Sequence, residues 1–119
     1  MSTELTSRWT PTQDDFDAFA RVSGDDNPIH VDPEFSARTA FGRTVSHGML
    51  IYSKLWGLLQ QAYPKARQRS QSMIFSHPAY TGEEVLLCVR ETARGHFEMQ
   101  ATRAADGAAL LTGEAEIEC

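Results

Sequence analysis

The sequence predicts an α+β domain in which helices come first and an antiparallel sheet follows. In the first half, apolar residues recur at helical spacing, and from residue 71 onward they alternate with polar residues as in half-buried strands. Length and composition agree, because 119 residues with 41% hydrophobic and 23% charged side chains are ordinary for one globular domain. We therefore expect a single domain over residues 1–119.

Two helices are predicted before residue 43. Residues 10–13, Thr-Pro-Thr-Gln, form a capping box with proline at the first helical position, and they predict a helix that Gly24 and Pro28 end. Asp32-Pro33 repeats the start pattern and predicts a short helix that runs to about Gly42.

A third helix is predicted from Gly48 through Leu59, and Pro64 closes it. This segment is apolar on nearly every face, and a helix without a polar face must be surrounded by protein. We therefore expect this helix to lie buried across the sheet.

Four alternating segments predict the strands, and turn residues separate the last three of them at Arg94-Gly95 and Asp106-Gly107. Pro78 predicts an edge or a bulge near the first strand, before the turn at Thr81-Gly82. The expected result is a four- or five-stranded antiparallel sheet. The apolar positions that alternate are Met73/Phe75, Val85/Leu87/Val89, Phe97/Met99/Ala101 and Leu111/Gly113/Ala115/Ile117.

Charge and cysteine content exclude several classes of protein. A net charge of −5 argues against nucleic-acid binding, which needs clustered lysine and arginine. No apolar run approaches the roughly 18 residues that cross a bilayer, and the N-terminus lacks the apolar core of a signal peptide. Cys88 and Cys119 are too far apart for a metal-binding spacing and form no disulfide framework. We expect a cytoplasmic protein without a membrane or nucleic-acid partner.

Neither calcium nor zinc is expected to bind. Asp25 and Asn27 have the offsets of a calcium loop, but the glycine and the terminal glutamate of that loop are absent. The four histidines, His30, His47, His77 and His96, lack the ligand spacings of zinc motifs.

One basic cluster, Lys65, Arg67 and Arg69, has two interpretations. It is either an ordinary solvated surface or a site for a phosphate-bearing ligand.

The segment with the clearest chemical potential is residues 23–30, which read Ser-Gly-Asp-Asp-Asn-Pro-Ile-His. Pro28 forces Asn27 out of the helical conformation, so that Asp25 and His30 can converge around a sharp turn. A carboxylate and an imidazole that share one water make a general base and a general acid, each worth typically about 10²–10⁴-fold in rate. The alternative is that these are plain turn residues and a structural histidine.

A second candidate is Ser46-His47-Gly48 at the start of the apolar helix. Backbone N–H groups there are unpaired and carry the positive end of the helix dipole. Gly48 allows a ligand to approach this backbone closely, as an oxyanion site requires. The alternative is a Ser46 N-cap followed by a packing glycine.

Together these residues resemble the MaoC-like dehydratases, and within them the (R)-specific enoyl-CoA hydratases. The motif is an Asp, then Asn-Pro, an aliphatic residue and His, with His-Gly-Met further on, and the match runs from about Phe19 to Leu50. The resemblance implies a hot-dog fold, which is a sheet wrapped around one long helix. It also implies a homodimer with active sites at the subunit interface, and no metal or redox cofactor.

The same resemblance implies roles for individual residues. Asp25 and His30 would be the catalytic dyad that adds water to a trans-2-enoyl thioester of CoA or an acyl carrier protein, or removes it. The Gly48 N–H would be an oxyanion donor and His47 would belong to the same substrate-binding segment. Asn27 is expected to brace the turn, unless it is a plain turn residue.

Trp56 follows Gly48 by eight residues on the same helix. We hypothesise that its indole limits the substrate to short or unusually shaped acyl groups, although an ordinary core residue explains it equally well. Equal activity on short and long acyl chains would contradict the hypothesis.

Two rival functions remain open. A hot-dog thioesterase commonly has a carboxylate on the long helix, whereas Met49 to Leu59 contains no Asp or Glu. A non-catalytic acyl-thioester-binding subunit would be expected to lose the dyad, and both members are present here. The direction of the reaction, hydration or dehydration, is also left open, because an enzyme accelerates both directions of one equilibrium.

Overall fold

The computed structural model describes residues 3–118, so that Cys119 lies outside the described residues. Within this range the chain forms four helices and one five-stranded sheet, which confirms the α+β prediction. In chain order the elements are β1 (Glu4–Trp9), α1 (Gln13–Ser23), α2 (Pro28–Val31), α3 (Pro33–Ala37), α4 (Gly48–Ala62), β2 (Arg67–Phe75), β3 (Val85–Ala93), β4 (His96–Arg103) and β5 (Ala109–Glu118).

The sheet is antiparallel throughout, in the order β1-β3-β4-β5-β2. The inner face packs against one side of α4, and the largest core side chains include Phe97, Met99, Leu55 and Leu59. Gly82, Gly95 and Gly107 all have positive φ, as the three predicted turns require. Strand β2 ends at Phe75, three residues before Pro78, and it forms one edge of the sheet.

The strand β1 was not predicted. It pairs with β3 from Glu4 opposite Arg90 to Trp9 opposite Val85. Its sequence has few apolar residues, and only Leu5 and Trp9 pack against the core. Because its pairing partner is some 80 residues away, this strand depends on a long-range contact that local periodicity does not report.

The bounds of the helices differ from the predictions in two places. The capping box of α1 is centred on Thr12, whose hydroxyl accepts from the Asp15 N–H while the Asp15 carboxylate accepts from the Thr12 N–H. Helix α3 ends at Ala37 rather than near Gly42, because the Thr39 hydroxyl donates to the Ser36 carbonyl and draws the chain into a turn.

Helix α4 is buried on one side only within this chain. Ile51, Leu55 and Leu59 face the sheet and are almost fully buried, whereas Met49 is 50% exposed. The expectation that protein surrounds this helix is therefore met on its sheet side. Among the described residues, no helix is both long and apolar enough to cross a membrane.

Candidate active site

The turn between α1 and α2 brings Asp25 and His30 together. Gly24 ends α1 with φ 80°, a left-handed conformation that turns the chain away from the helix axis. Asn27 then caps α2, its side-chain oxygen accepting from the Ile29 N–H at 3.1 Å, and Pro28 occupies the first helical position. As a result the Asp25 Oδ2 and His30 Nε2 atoms lie 3.7 Å apart. This cap is a local contact of the turn, and a role of Asn27 in fixing the dyad stays a prediction.

The His30 ring has a defined tautomer when it is neutral. Its Nδ1 lies 2.8 Å from the carbonyl oxygen of Val45, which can only accept, so that Nδ1 carries the hydrogen. The other nitrogen, Nε2, then presents a lone pair towards Asp25. The His30 side chain is 10% exposed and that of Asp25 is 55% exposed, so the imidazole is held by protein and the carboxylate faces the outside.

The gap between these two groups suits a shared small molecule. A separation of 3.7 Å exceeds a direct hydrogen bond of about 2.7–3.2 Å. One water can accept or donate to both groups across such a separation. An acid and a base at this separation could act on one water; that Asp25 and His30 do so stays a prediction.

His47 supports Asp25 from within the protein. It is the N-cap residue of α4, its side chain is buried, and its Nε2–H donates to the backbone carbonyl of Asp25 at 2.8 Å. Its ring stacks on the His30 ring with 3.9 Å between centroids, and its Nδ1 has no hydrogen-bond partner within residues 3–118. Burial lowers the pKa of His47, and the neighbouring His30 lowers it further against the opposing hydrogen bond to Asp25.

The donor atoms of Asp25, His30 and His47 lie within 4.8 Å of one another, which raises the question of a metal site. The two imidazole rings are stacked with only 24° between their planes. Because a ring nitrogen binds a metal in the plane of its ring, two nearly parallel rings do not point at one ion. In addition, His30 Nδ1 and His47 Nε2 already donate to carbonyl groups. These residues form a hydrogen-bonding cluster and do not fit a metal ion.

A cavity of about 450 Å³ adjoins Asp25 and the start of α4. Phe41, Met49 and Phe75 are partly exposed at its rim, and Ile51, Ala79 and Leu110 form its buried wall. The size is sufficient for a small acyl group, since ligand pockets start at about 300 Å³.

Gly48 is the first residue of α4 and lines this cavity. Its N–H lies in the first turn, where helical N–H groups lack an intrahelical acceptor. The Phe75 ring packs so closely that a Cβ on residue 48 would lie 2.8 Å from Phe75 Cε1. A side chain at residue 48 would require this ring to shift, a contact that the sequence did not predict.

Two sequence-predicted features lie away from the cavity. Trp56 is partly buried against the core of the sheet and is not among the residues that line the cavity, so its role in acyl selection stays a prediction. The basic cluster follows the opposite end of α4, a helix of 15 residues and about 22 Å. Arg69 is paired there with Glu118 at 2.8 Å, and Lys65 and Arg67 are exposed.

A larger groove of about 690 Å³ runs over the outer face of the sheet. It contains the Arg90–Glu98 ion pair and the free thiol of Cys88, whose pKa burial raises. A protonated thiol is a poor nucleophile, and the charge of Arg90 is neutralised by Glu98. The smaller cavity beside Asp25 is therefore the stronger candidate for an active site.

The family model described as "MaoC like domain" matches residues 2–110 of the sequence. This chain belongs to the MaoC-like family. An (R)-specific enoyl-CoA hydratase from Aeromonas caviae is 41% identical over 108 residues, which are 85% of this chain and 81% of that protein. A mitochondrial 3-hydroxyacyl-[acyl-carrier-protein] dehydratase from Arabidopsis thaliana is 34% identical over 97 residues, 77% of this chain and 58% of its own length.

The fold agrees with this assignment. The structure of an (R)-hydratase from A. caviae involved in PHA biosynthesis superposes with a TM-score of 0.89 at 32% identity. The superposition covers 98% of this MaoC-like chain and 94% of that one. The hot-dog architecture expected from the motif is thereby confirmed.

Proposed function

We propose that this MaoC-like chain adds water to trans-2-enoyl thioesters to form (R)-3-hydroxyacyl thioesters, and catalyses the reverse dehydration. The observation that carries the proposal is the 3.7 Å gap between Asp25 Oδ2 and His30 Nε2 beside the 450 Å³ cavity. Two relatives support it, since one is an enoyl-CoA hydratase and the other a 3-hydroxyacyl-[acyl-carrier-protein] dehydratase. The carrier is accordingly CoA or an acyl carrier protein.

In the hydration direction the thioester carbonyl accepts from the N–H of Gly48 at the start of α4. The positive end of the helix dipole stabilises negative charge on that oxygen, and the β-carbon becomes electrophilic. Ionised Asp25 takes a proton from the water as its oxygen bonds to the β-carbon. Protonated His30 delivers a proton from Nε2 to the α-carbon, and the C=C double bond becomes a single bond.

The tautomer of neutral His30 allows the same residues to catalyse the reverse reaction. After hydration Asp25 is protonated and His30 is neutral, with its lone pair on Nε2 because Nδ1–H donates to Val45. In dehydration that lone pair removes the α-proton, and Asp25 protonates the departing hydroxyl group. Both groups act from one face of the substrate, so addition and elimination are syn.

The working protein is proposed to be a homodimer in the cytoplasm. Strand β2 is an edge strand that carries Arg67 and Arg69 in its first half and exposes Ile74 and Phe75, 66% and 47% accessible, at its end. The other edge, β1, carries the charged Glu4 and Arg8 and exposes no large apolar side chain. Apolar residues on an edge strand favour pairing with another strand, and charges oppose it. Phe75 also borders the cavity, so a second copy on β2 would complete the site.

The thioesterase alternative lacks its expected residue. Helix α4 carries no carboxylate, and Asp25 is the one acidic side chain among the residues that line the cavity in the described chain. A base for attack of water on the thioester carbonyl would have to be Asp25 itself. Loss of enoyl absorbance and release of free thiol distinguish the two reactions.

Loss of the conjugated-enoyl absorbance of crotonyl-CoA tests the proposal, with Asp25→Asn and His30→Gln beside the wild type. Each variant keeps the size of the side chain and removes its proton transfer, so we expect a fall of about 10²–10⁴-fold in kcat. Asp26→Asn is the matched control, since Asp26 neighbours Asp25 but does not line the cavity. This variant should keep wild-type activity.

Three results would argue against parts of the proposal. Release of free thiol without loss of the enoyl group would favour the thioesterase. Binding of crotonyl-CoA without turnover would favour an acyl-binding subunit. Unchanged activity in both dyad variants would leave hydration in place and remove Asp25 and His30 from it.

A further inference from the structure

We infer that Gln13, at the first position of α1, is a positioning residue that fixes the catalytic orientation of His30. The inference rests on the proposed function, in which His30 transfers a proton through Nε2. Gln13 is 17 residues from His30 in sequence, yet its side-chain amide contacts the backbone of that residue directly.

The orientation of the Gln13 amide is determined by its neighbours. Its Nε2 donates to the His30 carbonyl at 2.8 Å and to the Asp17 carboxylate at 3.0 Å. Its Oε1 accepts from the Thr44 hydroxyl at 2.8 Å. Two acceptors on one side and one donor on the other leave a single assignment of nitrogen and oxygen, which uses both amide hydrogens.

These contacts close a ring of hydrogen bonds around His30. The imidazole Nδ1–H donates to Val45, and Val45 follows Thr44 in the chain. Thr44 donates to Gln13, and Gln13 donates back to the His30 carbonyl. Val45 thus holds the imidazole of His30, and Gln13 holds its backbone carbonyl. Gln13 connects these two contacts through its hydrogen bond with Thr44.

The closed set of hydrogen bonds matters because α2 is too short to hold His30 in place by itself. This helix has four residues, and a helix of that length has one turn and few internal bonds. Ser36 donates to the Pro28 and Ile29 carbonyls, and the Val45 N–H also donates to Ile29, but the His30 carbonyl receives its hydrogen bond from Gln13. Gln13 therefore controls the end of α2 that carries the imidazole.

The test replaces Gln13 by Met, which keeps the length of the side chain and removes all three of its hydrogen bonds. We expect kcat for crotonyl-CoA hydration to fall about tenfold to hundredfold, since a displacement of about 1 Å in a catalytic group has effects of this size. KM should stay within about twofold, because Gln13 does not line the cavity beside Asp25. Gln60→Met, an exposed glutamine on α4, is the matched control and should keep wild-type kinetics.

A second variant guards against a loss of folding in the first. Gln13→Glu keeps an oxygen for the Thr44 hydroxyl but sets a carboxylate against the His30 carbonyl, so kcat should fall at least as far as in Gln13→Met. If both variants retain wild-type kcat below their melting temperatures, Gln13 serves only the packing of α1 and the inference is wrong.

Nitrogen NMR of the imidazoles gives a readout that does not depend on turnover. Neutral His30 should be a single Nδ1–H tautomer in the wild type and a mixture of tautomers in Gln13→Met. An unchanged single tautomer in the variant would overturn the inference. If the wild type hydrates no enoyl thioester, the proposed function fails, and this NMR comparison still decides whether Gln13 orients His30.

Discussion

His30 and His47 are stacked imidazoles whose hydrogen bonds leave different ring nitrogens free. His30 donates from Nδ1 to Val45 and keeps Nε2 free beside Asp25. His47 donates from Nε2 to the Asp25 carbonyl, and its remaining nitrogen is enclosed without an acceptor among the described residues. A second proton on His47 would be buried without a partner, which is costly. His30 is thus suited to proton transfer, and His47 to holding Asp25 in place as a neutral ring.

The enclosed ring of His47 predicts that acid weakens the fold. Its pKa in the folded protein is lowered by burial, then by His30, from the ordinary 6.5. Below that pH the unfolded chain binds a proton that the folded chain does not, so the free energy of unfolding falls by up to about 1.4 kcal/mol per pH unit. This loss should continue until the pH reaches the folded-state pKa. Urea unfolding of the wild type and His47→Gln from pH 8 to pH 5 measures it.

The glutamine variant is matched because its amide can donate to the Asp25 carbonyl from nearly the position of Nε2, but it does not titrate. Its stability should therefore depend less on pH than that of the wild type between pH 6.5 and 5. Parallel curves for the two proteins would show that His47 is protonated equally in both states, contrary to the prediction.

At the scale of elements, the start of α4 and the end of β2 form one unit. The Phe75 ring lies against Gly48, the residue whose N–H is proposed to bind the thioester oxygen. Glycine at this position therefore has two possible reasons, the packing of Phe75 and the approach of a ligand. Substitutions in the two elements separate these reasons.

We expect Gly48→Ala to destabilise the fold by about 1–3 kcal/mol, because its methyl group would meet the Phe75 ring. Combining it with Phe75→Ala should restore stability to that of Phe75→Ala alone. Hydration should nevertheless stay at least about tenfold below that of Phe75→Ala, since the methyl group still crowds the N–H that stabilises the oxyanion. Thermal unfolding and crotonyl-CoA kinetics of the three variants measure both effects.

Gly57→Ala is the internal control for this comparison. Gly57 lies in the same helix, and a Cβ there would have no neighbour within 4 Å. Alanine should leave activity unchanged and stabilise the helix by about 0.5–1 kcal/mol. If the double variant of Gly48 and Phe75 regains the full activity of Phe75→Ala, glycine serves only the packing of the ring.

At the scale of the whole molecule, the two edges of the sheet differ in chemistry, and this difference predicts the assembly. With β2 as the contact, light scattering should give twice the chain mass of 13.3 kDa. Ile74→Lys should produce the monomer, because it places a charge in the apolar last part of β2. It should also reduce hydration, since the second copy that is proposed to complete the site next to Phe75 would be absent.

Val22→Lys is the corresponding control on α1, where Val22 is 82% exposed. It should remain a dimer with full activity. Dissociation by Val22→Lys but not by Ile74→Lys would place the contact on α1 and contradict the prediction for β2.

Much of the fold could be predicted because its elements have local causes. Glycine and proline determine where α1 ends and where α3 begins, and strict alternation identifies β3, β4 and β5. The strand β1 and the short helix α2 were missed, and the end of α3 was misplaced. A distant strand determines β1, and side-chain hydrogen bonds cap α2 and end α3.

For the site, the sequence alone determined which chemical groups are available and that the turn at Pro28 lets Asp25 and His30 converge. Only the tertiary structure decided which nitrogen of His30 is free, that His47 supports Asp25, and that Gln13 joins the hydrogen bonds around His30. The physical reason is that these properties depend on backbone carbonyls and on partners 15 to 22 residues away in the chain. A carbonyl is common to every residue, so its direction is set by the fold and not by the amino acid that bears it.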